Sequence, residues 1–179
     1  QRGLMLSGGL AGAVFAFALL MWARGAINPP ASSGAPTIAS IACGAVQTFP
    51  SQGATHIKPN EQHPPYNSNP PNSGWHWDNP QEWGIYTTAR VQEQLVHNLE
   101  HGGIIIQHNA LSASDTERLT NLVAREAYHM ILAPYPGLPA DVNVALTAWT
   151  HLQTCNGVDE NAIRAFVNAY RDQGPERVP

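Results

Sequence analysis

The residues whose types and spacing could do chemistry are His97 and His101, in the run His97-Asn98-Leu99-Glu100-His101. Side chains at i and i+4 share one face of a helix, so both imidazoles can reach a single metal ion. Glu100 is expected to be rotated away from the pair, where it would orient a ligand as an outer acceptor or pair with Arg90. A third ligand has to come from elsewhere in the chain. His76, in Ser73-Gly74-Trp75-His76, is the first choice: the glycine permits close backbone approach, and Trp75 and Trp77 would shield a site from water. His56 is a fourth candidate. A histidine-rich site of this kind suits copper or zinc, and Met130 would join it only for copper, because thioethers favour Cu(I). His63, His108, His129 and His151 have no special spacing and are expected at the surface or in satisfied core positions.

Two other readings compete with metal binding. Histidines near a helix C-terminus can simply interact with its dipole, which would make the protein a metal-free structural or assembly subunit. HxxEH is also the pattern of inverted zinc metallopeptidases, in which the glutamate is the general base. Glu160 is the nominee for the distant carboxylate such a hydrolase needs, but Gly102 and Gly103 would cut the helix short. No GxSxG, Walker loop or GxGxxG is present, so serine hydrolysis, nucleotide chemistry and dinucleotide redox work lack support. No residue is assigned a catalytic role.

Composition points the same way. Of 179 residues 12% are charged, the formal net charge is -4, and Lys58 is the lone lysine, while histidine numbers 8. Without a basic patch, nucleic acid is not an expected partner.

The elements that must position these residues follow from periodicity. Val91, Leu95 and Leu99 predict a helix over 88–101, ended by Gly102 and Gly103. Residues 104–107 read as a short buried strand. Ser114 and Glu117 suggest a capping box for a helix over 114–126, faced by Leu119, Leu122 and Val123. A second strand covers 130–133. Val142, Val144, Leu146 and Ala148 alternate, which predicts a third strand over 142–152. Ile163, Phe166, Val167 and Tyr170 form the stripe of a last helix over 159–170. Residues 58–80, rich in Pro and Asn, are expected to form a long ordered loop without regular elements. The order implies an α+β fold, or a small α/β layer, with helices packed on a short sheet.

The N-terminus is different. Residues 3–23 carry no charge and are long enough to span a bilayer as a helix. Arg2, Arg24 and Trp22 flank the run as interfacial residues do, and it is longer than the core of a typical signal peptide. Gly8 and Gly12 form a GxxxG pair, a close-packing surface for another membrane helix. Residues 24–42 read as a linker and 43–179 as a globular domain. Cys43 and Cys155 fit one long-range disulfide of an oxidising compartment.

Three segments carry a resemblance: Pro70-Pro71-Asn72-Ser73-Gly74-Trp75-His76, His97 to Gly102, and Leu146-Thr147-Ala148-Trp149, with the turn Pro134-Tyr135-Pro136. Over roughly 43–178 the chain resembles a bacterial family of membrane-anchored extracytoplasmic proteins of unknown function. Asn72 and Trp75 depart from that family's pattern, and His76 keeps its place. The resemblance implies a single-pass protein of the bacterial cytoplasmic membrane with its domain on the periplasmic side, and it singles out His76, His97, Glu100 and His101. The expectation is an accessory subunit of a larger membrane complex such as an electron-transfer assembly. Its partners would be the lipid bilayer and that complex's transmembrane helices, and its His cluster would hold copper or zinc.

Overall fold

A computed structural model describes residues 41–177, within one compact unit, Ala39–Pro179. The expected membrane helix over 3–23, its Gly8 and Gly12, and all but the end of the 24–42 linker lie outside the described residues. Among the described residues no helix is long and apolar enough to cross a membrane.

The elements are β1 (Gln47–Thr48), β2 (His56–Ile57), β3 (His76–Trp77), β4 (Gly84–Ile85), α1 (Gln92–Glu100), β5 (Ile104–His108), α2 (Ala113–Arg125), β6 (Met130–Pro134), β7 (Val144–Ala148), β8 (His151–Cys155) and α3 (Glu160–Tyr170). Six strands form a mixed sheet in the order β1-β8-β7-β5-β6-β4, and β2 and β3 form a separate parallel pair. β5 and β6 are parallel, joined through α2, whereas β7 runs antiparallel to both β5 and β8. This is an α+β fold with helices packed on a sheet, as the pattern of the sequence implied.

Alternation along the central strands divides the core. Ile104, Ile106, Met130 and Leu132 pack with Leu119, Leu122 and Val123 of α2 and with Ile163, Phe166 and Val167 of α3. Ile105, Ile131 and Ala133 pack with Leu95 and Leu99 of α1. Successive side chains of a strand point to opposite faces, so α1 takes one face of the sheet and α2 and α3 the other. Each such aliphatic side chain, once fully buried, contributes roughly 1.5–3 kcal/mol. Cys43 and Cys155 form a disulfide, 112 residues apart in sequence, that ties the start of the described chain to β8.

Four expectations change. The helix expected from Thr88 starts at Gln92, because Val91 is extended (φ -66, ψ 126) and no side chain caps it. The cap of α2 is Ser112 rather than Ser114: the Ser112 hydroxyl accepts from the Asp115 amide at 3.0 Å and donates to the Asp115 carboxylate at 2.9 Å. The single strand expected over 142–152 is a hairpin, β7 and β8, that turns at Trp149-Thr150 with Thr150 at φ 63. The loop over 58–80 is interrupted by β3, whose pairing sets His56 opposite His76.

Candidate metal centre

The cluster is built where β2, β3 and the C-terminal end of α1 meet. Parallel pairing brings His56 and His76 side by side. α1 packs against β3 and presents His97 and Glu100 to the pair, with His101 just past its end beside His97. The amide of Asn98, fully buried, fixes the other side of that turn: Oδ1 accepts from the Gln81 amide at 2.9 Å and Nδ2 donates to the Gln81 carbonyl at 2.8 Å.

The chain's last segment closes the end of α1. The final carbonyls of a helix have no partner within it. Here the Glu176 amide donates to the Glu100 carbonyl at 3.1 Å, and the Asp172 amide donates to the Gly102 carbonyl at 2.8 Å. Gly102, at φ 79, and Gly174 make this approach possible. A Cβ on Gly102 would stand 2.7 Å from the Asp172 Cα, and one on Gly174 would stand 2.1 Å from the Glu100 carbonyl oxygen. The outcome is that Glu176 reaches the site, its Oε2 lying 3.4 Å from His101 Nε2.

The ring nitrogens are sorted. His76 donates Nδ1–H to the Gly74 carbonyl at 2.8 Å, and His97 donates Nδ1–H to the Trp77 carbonyl at 2.6 Å. A carbonyl only accepts, so in each neutral ring Nε2 is a bare lone pair. His56 repeats the arrangement, with Nδ1 3.3 Å from the Asp78 carboxylate. Metal-bound histidines are commonly held in this way, one nitrogen on an outer acceptor and the other on the ion.

The inward atoms lie close. His76 Nε2 is 2.9 Å and His56 Nε2 is 3.7 Å from Glu100 Oε2, and His97 Nε2 is 3.0 Å from His101 Nε2. A tetrahedral ion with bonds of about 2.0–2.1 Å holds its ligand atoms roughly 3.3–3.4 Å apart, and these separations bracket that edge. Among the described residues two groups satisfy mutual ligand separations within 4.8 Å: His56, His76 and His97; and His97, Glu100, His101 and Glu176.

The His76–Glu100 contact is short but has no hydrogen-bond geometry, and neither His76 Nε2 nor Glu100 Oε2, both buried, makes a hydrogen bond elsewhere. With its proton on Nδ1, His76 turns a lone pair towards a carboxylate lone pair. A cation between or beside the two atoms, a proton or a metal ion, would compensate that pairing. A proton is the poorer choice, because burial holds the His76 pKa below its usual value. Burial, reinforced by the neighbouring His97, also lowers the pKa of His101. Both rings are therefore kept in the neutral form that binds metal.

A family model described as a protein of unknown function (DUF3105) matches residues 56–179. The chain belongs to the DUF3105 family. The matched span begins at His56 and includes every member of both ligand groups. No curated protein and no solved structure matches the chain.

Against the expectations, the DUF3105 domain of this chain brings His56, His76, His97 and His101 to one place, but not to one point. His76 and His101 do not fall in the same ligand group, and His97 is common to both groups. Glu100 is not rotated away and does not pair with Arg90, which instead lies over the Tyr86 ring. Glu160, the nominated hydrolase ligand, is on α3, 3.7 Å from Arg118 and 3.9 Å from Arg164. Met130 lies in the core beneath α2, on the sheet face away from α1. Trp75 stacks on His63 and contributes no wall to the cluster by that contact, whereas Trp77 contributes its carbonyl. His63, His129 and His151 are occupied with the Pro64 carbonyl, the Asp172 carboxylate and the Trp149 carbonyl. Glu176 and Asp78 were not among the expected residues. No spacing signals Glu176, because it arrives through the tail.

Proposed function

We propose that this domain is a metal-binding module that holds a divalent transition ion, zinc or copper, through His56, His76 and His97 with Glu100. The observation that carries the reading is the buried His76 Nε2 facing Glu100 Oε2 at 2.9 Å, neither atom in a hydrogen bond, beside a second ring whose proton is also committed to a backbone carbonyl. Imidazole nitrogens with a carboxylate suit zinc or Cu(II) better than Cu(I), which favours sulfur. A metal-free structural subunit is less well supported. Unpaired buried polar atoms cost about 1–3 kcal/mol each, and a subunit that needed only packing would gain by replacing them.

The sequence of residues 3–23 supports a membrane setting for this module, as an accessory subunit whose anchor docks on the helices of a larger complex through Gly8 and Gly12. Elemental analysis of the natively purified full chain, with a His76→Ala/His97→Ala variant alongside, tests the metal reading. Bound zinc or copper in the native chain, lost in the variant, is expected. No ion in the native chain, and none taken up on dialysis against either metal, would sink it. For the anchor, a Gly8→Leu/Gly12→Leu variant should remain in the membrane fraction but lose its co-purifying partners.

A further inference from the structure

Resting on that reading, we propose that the cluster holds a second divalent transition ion, bound by His101 and Glu176 and joined to the first through the Glu100 carboxylate. The ligands gather around two points rather than one: His56 and His76 fall in one group and His101 and Glu176 in the other. His97 cannot serve both ions. Its Nδ1 proton goes to the Trp77 carbonyl, which leaves a single lone pair on Nε2. Given to the inner group, His97 completes three imidazoles there, and the outer group keeps His101 and Glu176.

Glu100 is the residue that can belong to both. A carboxylate offers two oxygens and about four lone-pair sites, and carboxylate-bridged ion pairs stand roughly 3.5–4 Å apart. Glu100 Oε2 is committed to the His76 and His56 side, while Glu100 also falls in the group of His101 and Glu176. The side chain is only 9% exposed, so its charge needs compensation inside the protein. The tail supplies the remaining outer ligand, and its two amides on the Glu100 and Gly102 carbonyls fix it there.

The outer position opens on a cavity. His101 and Glu176 line a cavity of about 350 Å³ together with Tyr128, Asp172, Gln173 and Arg177. An ion there has two side-chain ligands and the bridge, so its free positions face the cavity, as in sites that bind water or an exchangeable ligand. Arg177 at the rim favours a small anion as that ligand. The inner ion would lie against the buried His76 and His97 rings, with the half-exposed His56 at its edge.

The test is equilibrium dialysis of the full chain in detergent against Zn(II), followed by elemental analysis, on native chain, Glu176→Gln and His101→Gln. The same titration with Cu(II) is followed by electron paramagnetic resonance. Two ions per native chain and one in each variant are expected, and the second equivalent of Cu(II) should quench the signal of the first by coupling. Because Glu176 is half exposed, its variant should fold, and His101→Gln provides an independent check. One ion in all three proteins would overturn the second site and leave the inner one standing. One ion in the native chain that disappears in Glu176→Gln would overturn the assignment of ligands. No ion in any of them would remove the metal reading itself.

Discussion

His76 Nε2 and Glu100 Oε2 face one another at 2.9 Å in a place from which water is excluded, with the His76 proton turned the other way, to the Gly74 carbonyl. Burial of this site, which outweighs the opposing pull of Glu100 on His76, makes the metal-free protein sensitive to pH in a defined sense. Burial lowers the folded-state pKa of His76, His101 and His108 below the ordinary value of 6.5. As pH falls through that value the unfolded chain binds protons that the folded chain refuses, so stability declines. Stability should be full above about pH 6.5 and be lost progressively below it, until the folded-state rings titrate in their turn. Urea unfolding of the metal-stripped protein at a series of pH values checks this. Bound metal should leave in the same window, since protons compete for the same lone pairs. A His108→Gln variant should lose part of the stability dependence and none of the metal dependence.

Asp78 holds His56 by its outer nitrogen at 3.3 Å, and both side chains are well exposed. Removing such an outer acceptor typically costs about 10–100-fold in metal affinity. Exposure puts Asp78→Ala at the low end, roughly 10-fold, with the fold and its melting temperature unchanged in the apo form. Competition with a chelator of known affinity reads the change. An unaltered affinity would mean that His56 is not a ligand.

The sequence made the histidines of α1 legible because helical spacing is a local property: His97 and His101 are four apart, and nothing distant had to be known. It also made the sheet legible where strands are long enough to alternate, as at β5 and β6. The strands β1 to β4 are two residues each and have no period to read. The β7–β8 turn was hidden because Trp149-Thr150 carries none of the usual turn residues, although Thr150 takes a left-handed φ of 63. Glu100 was within reach of sequence reasoning, since positions i and i+3 are helix neighbours as surely as i and i+4. Glu176 was not, because its place depends on the tail's docking against the end of α1, a long-range event without a local sign.

Cys43 and Cys155 enclose most of the domain between them, at a sequence separation of 112. In the chain-entropy account, closing a loop of this order in the unfolded state is worth up to about 4.7 kcal/mol, and measured losses run at roughly 2–5 kcal/mol. Both cysteines pack with the α2–α3 core rather than with α1. Reduction, or Cys43→Ser/Cys155→Ser, should therefore lower the unfolding free energy read from denaturant curves by that amount, without changing the metal content under native conditions. Loss of metal on reduction of a still-folded chain would show that the bond holds the cluster together as well.

Gly174 separates two roles of the tail. Its neighbours bring a peptide so close to α1 that a Cβ would fall 2.1 Å from the Glu100 carbonyl oxygen. That atom is backbone, and the only escape is for the tail to move. Gly174→Ala should cost about 1–3 kcal/mol of stability, the usual range for overpacking, through loss of the Glu176 amide bond to Glu100. The same movement would carry the Glu176 carboxylate away from His101, so the variant should bind metal as Glu176→Gln does. Denaturant unfolding and metal content measured on the same preparation test both halves. A variant that is destabilised yet keeps the native metal content would make the tail a clamp on α1 and nothing more. A variant that matches Glu176→Gln in metal content would show that the close approach at Gly174 also delivers a ligand.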